Sequence, residues 1–245
     1  MESWSIKSSA NDSAPKPSPS QDVDSAYGAD GVTPFGQALP RSFYDRPTLD
    51  VARDLLGKLL VVRSNPAYGW DDPRAGVTQG RIVETEAYHG TDPAAHSARG
   101  MTPRNSIMFG EPGVAYIYFI YGMYEMLNFV TESAGYPGAV LIRALEPVSG
   151  ITRTTNGPGR LCRATGVRMS HKGESLQGPV FYVLDDGVHP RSVMKSPRVG
   201  IKVGTEPLWR FFVEGNPHVS RAPENAVARR HRPRVSRRVS NGGTA

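Results

Sequence analysis

The sequence predicts an α+β fold, a single domain around a curved, mostly antiparallel β-sheet with flanking helices and a protruding β-hairpin. Strand-like segments follow one another along the chain, with few helical stretches between them. Glycine (26 residues) and proline (21 residues) are frequent, which favours many turns over long helices. An aromatic run, YIYFIYGMYEMLN, is interrupted by Gly122 and predicts two strands around a tight turn.

The elements can be assigned in order along the chain. A first helix begins at Thr48 or Asp50 and ends near Gly57, because the apolar residues between them have helical spacing. KLLVVR and GRIVETEAYHG predict two strands joined by a loop at residues 64–79, and DPAAHSARGMTPRN predicts a short helix followed by a loop. The hairpin at Gly122 comes next. The remaining predicted elements are the strands GAVLIRALEP, PVFYVLDDG and LWRFFVEGN and a helix, GPGRLCRATG, that begins at Gly157-Pro158.

The folded domain is expected at residues 39–220, between two segments of biased composition. Residues 1–38 are rich in Ser, Pro, Ala and Asp without hydrophobic periodicity, which is typical of disorder, and residues 221–245 form an Arg-rich tail that we also expect to be disordered. Residues 1–40 hold five acidic residues and two lysines, whereas residues 220–245 hold seven arginines and one glutamate. The positive charge of the C-terminal segment favours a polyanionic partner such as nucleic acid. A solvated tail that only aids solubility would have the same composition.

Cysteine content and hydropathy bear on the compartment. A single cysteine, Cys162, excludes an internal disulfide framework and favours a reducing cytoplasm. No apolar run approaches the roughly 18 residues of a membrane span. The N-terminus lacks a basic region followed by an apolar stretch, so no signal peptide is expected.

The segment IVETEAYHG places two carboxylates close together. In a strand, Ile82, Glu84 and Glu86 share one face, and Val83, Thr85 and Ala87 share the other. Carboxylates about 7 Å apart on one face can acquire different proton affinities, as acid–base catalysis requires. From spacing alone, however, an edge strand with two solvated glutamates is the commoner explanation.

The segment HGTDPAAHS is a candidate for a metal site. His89, Asp92 and His96 are residue types that bind metals, but the segment has no His-x₃-His pattern and no nearby cysteine, and a proline interrupts it. A histidine in the wall of a pocket, His96, is the favoured interpretation, and no metal site is predicted.

Strand parity separates the aromatic residues of the hairpin. Tyr116 and Tyr118 face one side, and the turn at Gly122 carries Tyr121 to the tip. An exposed tyrosine at the tip could wedge between stacked bases, although another loop could equally cover it. Asn128 lies among apolar residues, so its amide requires a partner or a ligand.

Several motifs occur together in a known order: RIVETEAYHG, AAHS, TPRNSIMF, GVAYIYFIYGMYEMLN, GAVLIRALEP, NGPGRLCRATG and PRVGI. Together they closely resemble the alkyladenine (3-methyladenine) DNA glycosylases, also called methylpurine DNA glycosylases. The resemblance runs from about Pro40 to Ser220. It implies an enzyme that flips a damaged purine, such as 3-methyladenine, another alkylpurine or hypoxanthine, out of duplex DNA and hydrolyses its N-glycosidic bond in base excision repair.

The resemblance also implies a role for each matching residue. Glu86 would activate the attacking water, and Arg143 would help to position it. The flipped base would lie in a pocket formed by Tyr88, His96, Tyr118 and Asn128, with Asn128 disfavouring the 2-amino group of normal guanine. Tyr121 would fill the gap in the duplex. Residues close to the DNA backbone would be Gly122, Met123 and Tyr124.

This chemistry requires neither a metal nor an organic cofactor. A lyase would need an amine nucleophile, and none of the lysines of the folded domain lies within the motifs, so a monofunctional glycosylase is expected. We expect a monomer that binds double-stranded DNA with damaged purines and no membrane, in the cytoplasm of a bacterium, associated with the nucleoid, or in a nucleus. Two alternatives stay open, a non-catalytic nucleic-acid-binding module and a metal-dependent hydrolase that uses His89, Asp92 and His96.

Overall fold

The computed structural model describes residues 32–33, 36–69 and 72–226. Two short strands, β1 (Val32–Thr33) and β2 (Gly36–Gln37), pair with each other. Eight further strands form the main sheet: β3 (Leu59–Arg63), β4 (Val77–His89), β5 (Ala115–Ile120), β6 (Tyr124–Thr131), β7 (Gly138–Ser149), β8 (Phe181–Leu184), β9 (Val193–Ser196) and β10 (Arg210–Val213). Most of the predicted acidic N-terminal segment and the arginine-rich part of the tail lie outside the described residues.

The main sheet is organised around β4, whose 13 residues make it the longest strand. One edge of β4 pairs with β7, and the other edge pairs first with β3 and then with β10. The path through the sheet is β5-β6-β7-β4-β10-β9, and β3 also pairs with β8. All of these pairs are antiparallel. The sheet curls into an antiparallel half-barrel, which confirms the predicted α+β fold.

The sheet is flanked by helices α1 (Arg41–Tyr44), α2 (Thr48–Asp54) and α3 (Pro158–Thr165). Short 3-10 helices occur at Pro73–Ala75, Ser106–Phe109 and Met169–His171. Helix α2 begins at Thr48 as predicted. The backbone N–H and the hydroxyl of Thr48 both donate hydrogen bonds to the carboxylate of Glu132. Helix α3 begins with Pro158, whose missing N–H costs nothing at a helix start, and ends at Gly166 with φ +75°.

The main core lies between one face of the sheet and helices α2 and α3. Val51 and Ala52 of α2 and Leu161 and Cys162 of α3 pack against apolar side chains of β4, β5, β6 and β7. Burying one such aliphatic side chain contributes about 1.5–3 kcal/mol, so this layer fixes the sheet and leaves its other face available for a site. No helix in the described part of the chain is long and apolar enough to cross a bilayer.

Three register shifts interrupt the pairing of β4 with β7, and two of them are bulges on either side of Glu84. Ile82 pairs with Leu145 and Glu84 pairs with Ala144, which leaves Val83 as an extra residue on β4. The next register shift leaves Arg143 as an extra residue on β7. Bulges redirect side chains and often lie beside active sites.

The first bulge corrects one detail of the predicted strand. Ile82 does not share the face of Glu84 and Glu86, because it packs in the main core together with Ala87. The extra residue Val83 reverses the alternation that strand parity assumes. Beyond the bulge the prediction is confirmed, since Thr85 donates a hydrogen bond of 2.7 Å to Ala52 of α2 on the core side.

The helix predicted within DPAAHSARG is wrong. Residues 91–99 form successive turns, and the first helical turn after them is the 3-10 helix Ser106–Phe109. The side chain of Asn105 explains the fold of this segment, because it donates to the carbonyls of His96 and Gly100 and thereby takes the place of helical hydrogen bonds. Strand β9 was not predicted at all.

Candidate active site

Five residues fall in one row across five neighbouring strands, because each is the register partner of the next. In order across β5, β6, β7, β4 and β10 they are Tyr116, Asn128, Leu141, Glu86 and Arg210. Paired positions on neighbouring strands place their side chains on the same face of a sheet. Strand pairing alone therefore gathers residues that are far apart in sequence on the face opposite the main core.

A cavity of about 180 Å³ lies over this row. Five of the residues that the sequence predicted for the site line it: Tyr88, His96, Tyr118, Asn128 and Arg143. Most of the remaining wall is apolar, with one segment contributed by residues 199–201. A concave, mostly apolar cavity with a few converging polar groups is the usual form of a ligand site.

Glu86 is fully buried directly behind this wall. Its Oε2 accepts hydrogen bonds from the hydroxyl of Tyr88 (2.8 Å) and from Nη1 of Arg143 (3.2 Å), and its Oε1 accepts one from the backbone N–H of Val199 (2.7 Å). All three partners line the cavity. An edge strand with solvated glutamates is thus the wrong interpretation, since β4 is a central strand and both of its carboxylates are buried.

Glu84 lies on the same face and is buried as completely as Glu86. Its carboxylate accepts hydrogen bonds from Nε of Arg143 (2.9 Å), Nε of Arg210 (2.7 Å) and both the N–H and the hydroxyl of Ser220 (2.7 Å each). Burial raises the pKa of Glu84, but the charges of Arg143 and Arg210 and the Ser220 hydrogen bonds outweigh it and hold that pKa below its usual value. Glu84 is therefore ionised near neutral pH.

Arg143 joins the two carboxylates. Its bulge position on β7 aims the guanidinium at β4, where Nε binds Glu84 and Nη1 binds Glu86. Burial lowers the pKa of Arg143, and the charges of Glu86 and Glu84 more than reverse this effect. The guanidinium is consequently always charged, and it is the one cation that contacts Glu86 within the described residues.

Tyr88 contacts Glu86 through its hydroxyl and Arg198 through its ring. The guanidinium carbon of Arg198 lies 4.5 Å from the ring centroid, and Arg198 forms a buried ion pair with Asp92. Burial, with the adjacent charge of Glu86, raises the pKa of Tyr88 well above its usual value. The phenol therefore stays protonated near neutral pH and remains a hydrogen-bond donor to Glu86.

His96 and Tyr118 form an aromatic corner of the cavity together with Tyr116. The rings of His96 and Tyr118 meet edge to face with centroids 4.4 Å apart, and Nδ1 of His96 is hydrogen-bonded to the hydroxyl of Tyr116 at 2.9 Å. Burial, assisted by the charge of Arg104, lowers the pKa of His96 below 6.5. A neutral imidazole therefore faces the cavity near neutral pH.

Asn128 is buried and its amide nitrogen is fully used. Nδ2 donates to the carbonyls of Tyr116 (3.1 Å) and Met126 (3.2 Å), which fixes the orientation of the amide. No donor to Oδ1 occurs in the described parts of the chain, and Asn128 lines the cavity. The predicted need of Asn128 for a partner is confirmed for its nitrogen, and its oxygen remains available to a ligand.

The hairpin tip is exposed, as one of the two interpretations of the sequence predicted. Tyr121 is 84% exposed and adopts a left-handed backbone with φ +53°, followed by Gly122 with φ +68°. Met123 and Tyr124 are also exposed. A tyrosine in this conformation is strained, and such strain is concentrated at functional sites.

The tip end of the hairpin packs against helix α3 through Tyr124. A Cβ on Gly159 would lie 2.9 Å from the ring of Tyr124, so only glycine permits this contact. Beside it an open depression adjoins the cavity and is lined by Arg160, Arg163 and Arg221. These three side chains are exposed and give the surface next to the hairpin a positive charge suited to phosphate groups.

The structure does not bring His89, Asp92 and His96 together as metal ligands. Asp92 pairs with Arg198, the ring of His89 packs on Trp209 at 4.8 Å, and His96 binds Tyr116. No group of three or more metal-binding side chains occurs in the described ranges. The metal-hydrolase alternative has no site among these residues.

Several residues of the site were missed by the sequence analysis. Arg210 and Ser220 bind Glu84, and Arg198 and Val199 support Tyr88 and Glu86. PRVGI, which contains Arg198 and Val199, was recognised only as part of the ordered motifs. A charged residue within the apolar strand sequence LWRFFVEGN was the available signal for Arg210.

Comparison with known proteins relates this chain to a protein family. The family profile described as methylpurine-DNA glycosylase matches residues 42–217. A protein of Anaeromyxobacter sp. strain Fw109-5 is 48% identical over 203 residues, covering 80% of this chain and 99% of that protein. A protein of Methanocella arvoryzae is 46% identical over 203 residues, covering 76% and 97% respectively. Both relatives are provisionally named as 3-methyladenine DNA glycosylases.

Proposed function

This chain belongs to the methylpurine-DNA glycosylase family, and on that premise we propose that it flips damaged purines out of duplex DNA before it cleaves them. The family makes it a DNA glycosylase, a hydrolase of N-glycosyl bonds that acts in DNA repair. Its proposed substrates are 3-methyladenine, other alkylpurines and hypoxanthine, removed in base excision repair. A stacked base cannot be attacked at C1′, which is why extrusion has to precede the chemistry.

The observation that carries the proposal is the hydrogen bonding of Glu86. A buried carboxylate held by Tyr88, Arg143 and Val199, all three from the wall of one aromatic cavity, is suited to general-base catalysis. Each carboxylate oxygen has two lone pairs, and Oε1 uses one of them on Val199. In the proposed reaction Glu86 takes a proton from the attacking water, and Arg143 orients that water in the cavity.

The aromatic wall suits the proposed substrates. An alkylated purine carries positive charge, and a cation over an aromatic face gains about 1–2 kcal/mol when desolvated. Tyr88, His96 and Tyr118 would contact the flipped base, and a neutral His96 would not repel its charge. Asn128 would lie beside the purine, where it disfavours the 2-amino group of normal guanine. Hypoxanthine is neutral, so it depends more on protonation as it leaves.

The hairpin would stabilise the distorted duplex. Tyr121 would enter the gap left by the flipped nucleotide, which offsets part of the few kcal/mol that unstacking costs. Gly122, Met123 and Tyr124 would follow the DNA backbone, next to the exposed arginines of the α3 surface. One chain holds all of these groups, so we propose that the enzyme acts as a monomer.

We propose a monofunctional enzyme that leaves the abasic site uncut. An amine nucleophile is required for lyase chemistry, and the residues that line the described cavity include no lysine. Lys58 is paired with Asp185, and Lys172 donates to the carbonyl of Arg104. The product strand should therefore break only after treatment with alkali.

Glu86→Gln tests the proposal directly. The full chain is mixed with duplexes that each contain one hypoxanthine, one 3-methyladenine analogue or one 7-methylguanine, and base release is followed under single-turnover conditions. We expect the variant to bind the same duplexes but to lose 10²–10⁴-fold in rate, about what a general base contributes. Unchanged release by Glu86→Gln would refute its role, and binding without release by the wild type would indicate a non-catalytic DNA-binding module.

A further inference from the structure

Four buried charges form an alternating chain beneath the cavity. Glu86 binds Arg143, Arg143 binds Glu84, and Glu84 binds Arg210, at distances of 3.2, 2.9 and 2.7 Å. Two anions and two cations balance one another. A buried charge is strongly destabilising when its partner is removed, so each member constrains the others.

The C-terminal residues close this chain of charges. Ser220 donates two hydrogen bonds to Glu84, and Asn225 accepts one of 2.8 Å from Nη1 of Arg210. Asn225 also donates to the carbonyl of Ser220. The Ser220 N–H holds Oε2 of Glu84, and the Ser220 hydroxyl holds Oε1, the oxygen that also binds Arg143 and Arg210, so the carboxylate has little freedom to turn.

Given the proposed role of Glu86, we propose that Glu84 is a positioning residue that keeps Arg143 from pairing fully with Glu86. Glu84 occupies Nε of Arg143 and leaves only Nη1 for Glu86. Without Glu84, Nε and an Nη group would be free to form the bidentate pair that arginine and carboxylate prefer. Such a pair would occupy the lone pair that the attacking water needs and would weaken Glu86 as a base.

The proposal predicts the sign of two changes in pH dependence. The groups that face Glu86 are Tyr88 on its own strand, Arg143 on β7, Arg210 as its register partner on β10, and Tyr118 on β5, with Arg198 behind Tyr88. Without the negative charge of Glu84 the potential at the site becomes more positive, which favours an acidic limb of the rate profile at lower pH. Without the positive charge of Arg210 the potential becomes more negative, which favours a limb at higher pH, and Glu84 then holds Arg143 more strongly.

The test is the single-turnover rate of base release as a function of pH, measured on a hypoxanthine duplex with saturating enzyme. Glu84→Gln should move the acidic limb to lower pH by about 1 pH unit and lower the plateau at least about tenfold. Arg210→Met should move the limb to higher pH, whereas Arg210→Lys, which keeps the charge, should leave it near that of the wild type.

Two further variants serve as controls for misfolding and for a nonspecific loss of activity. The double variant Glu84→Gln/Arg210→Met keeps the buried charges balanced and should show a smaller displacement of the limb than either single variant. Glu132→Gln changes a glutamate that binds Thr48 of helix α2, so it should lower stability without moving the limb.

Two outcomes would overturn the positioning role and leave Glu84 as a structural residue. In one, the variants lower the plateau of the rate–pH profile without moving its acidic limb. In the other, both single variants move the limb in the same direction. Failure of the proposed function looks different. In that case Glu86→Gln itself would release base at the wild-type rate.

Discussion

The hydroxyl of Tyr88 donates a hydrogen bond of 2.8 Å to Oε2 of Glu86, two residues earlier on the same strand. Residues at this spacing share one face of a strand, so the contact needs no other element to form. Tyr88 thereby combines two roles, a ring that lines the cavity and a donor that stabilises the buried carboxylate.

Tyr88→Phe should lower the single-turnover rate of base release by roughly 10–100-fold, because a hydrogen bond to a charged group contributes about 1.5–3 kcal/mol. The acidic limb of the pH profile should move to higher pH, since the buried carboxylate loses a hydrogen-bond donor. Tyr44→Phe is the matched control, because the Tyr44 hydroxyl is buried without a hydrogen-bond partner among the described residues. An unchanged rate for Tyr88→Phe would contradict this role.

Tyr121→Gly should impair base flipping without lowering the stability of the fold. Glycine adopts the φ of +53° without strain, so the stability of the protein should not fall. Base release from a paired lesion should drop at least about tenfold, and the drop should be smaller for a mismatched lesion whose base is already unstacked. Tyr136→Ala, which removes another exposed tyrosine, serves as the control. Equal losses for paired and mismatched lesions would speak against a wedge.

Asp92→Ala should cost about 3–5 kcal/mol of unfolding free energy, because it leaves Arg198 buried without its counter-ion. Equilibrium denaturation measures this loss. Glu111→Ala breaks the exposed pair with Arg41 and should leave stability nearly unchanged. Addition of a chelator should affect neither variant, and a chelator-sensitive rate in the wild type would revive the metal hypothesis.

Stability should decrease as pH falls through about 6.5, in part because of His96. Its pKa is lowered in the folded state by burial and by Arg104, so the unfolded chain binds a proton before the folded one does. The penalty is absent above the unfolded pKa and complete below the folded one. His96→Gln should flatten this part of the stability curve, and the remaining slope should include His171, whose pKa is lowered in the same direction. An identical slope in the variant would refute the assignment.

The C-terminal tail can be tested by two truncations. Cutting after Ala226 removes six arginines and should weaken DNA binding and reduce its dependence on salt, while the single-turnover rate at saturation is retained. Cutting after Val219 also removes Ser220 and Asn225, so it should abolish base release. Equal behaviour of the two truncated proteins would show that Ser220 and Asn225 do not support catalysis.

The local part of the site was predictable from sequence. The shared face of Glu84 and Glu86 and the place of Tyr121 at the hairpin tip follow from strand parity and a glycine turn, and the burial of Asn128 follows from its apolar neighbours in sequence. Such features depend on residues within a few positions of one another, for which backbone geometry is decisive.

The long-range part was not predictable in this way. The bulge at Val83 reverses the parity of Ile82, and no local signal in the strand indicates an extra residue. The segment after Asp92 does not form a helix, because it is held by Arg198 and Asn105, one of them 106 residues away. Arg210 and Ser220 reach Glu84 across the sheet, so only the strand order makes them part of the site.

The order of synthesis determines when the four buried charges can pair with one another. Glu84 leaves the ribosome 126 residues before Arg210 and 136 residues before Ser220. Until those residues emerge, a growing chain that buried β4 would enclose two carboxylates with Arg143 as their one cation. A nascent chain therefore lacks these two partners of Glu84 until β10 and the residues that follow it have been made.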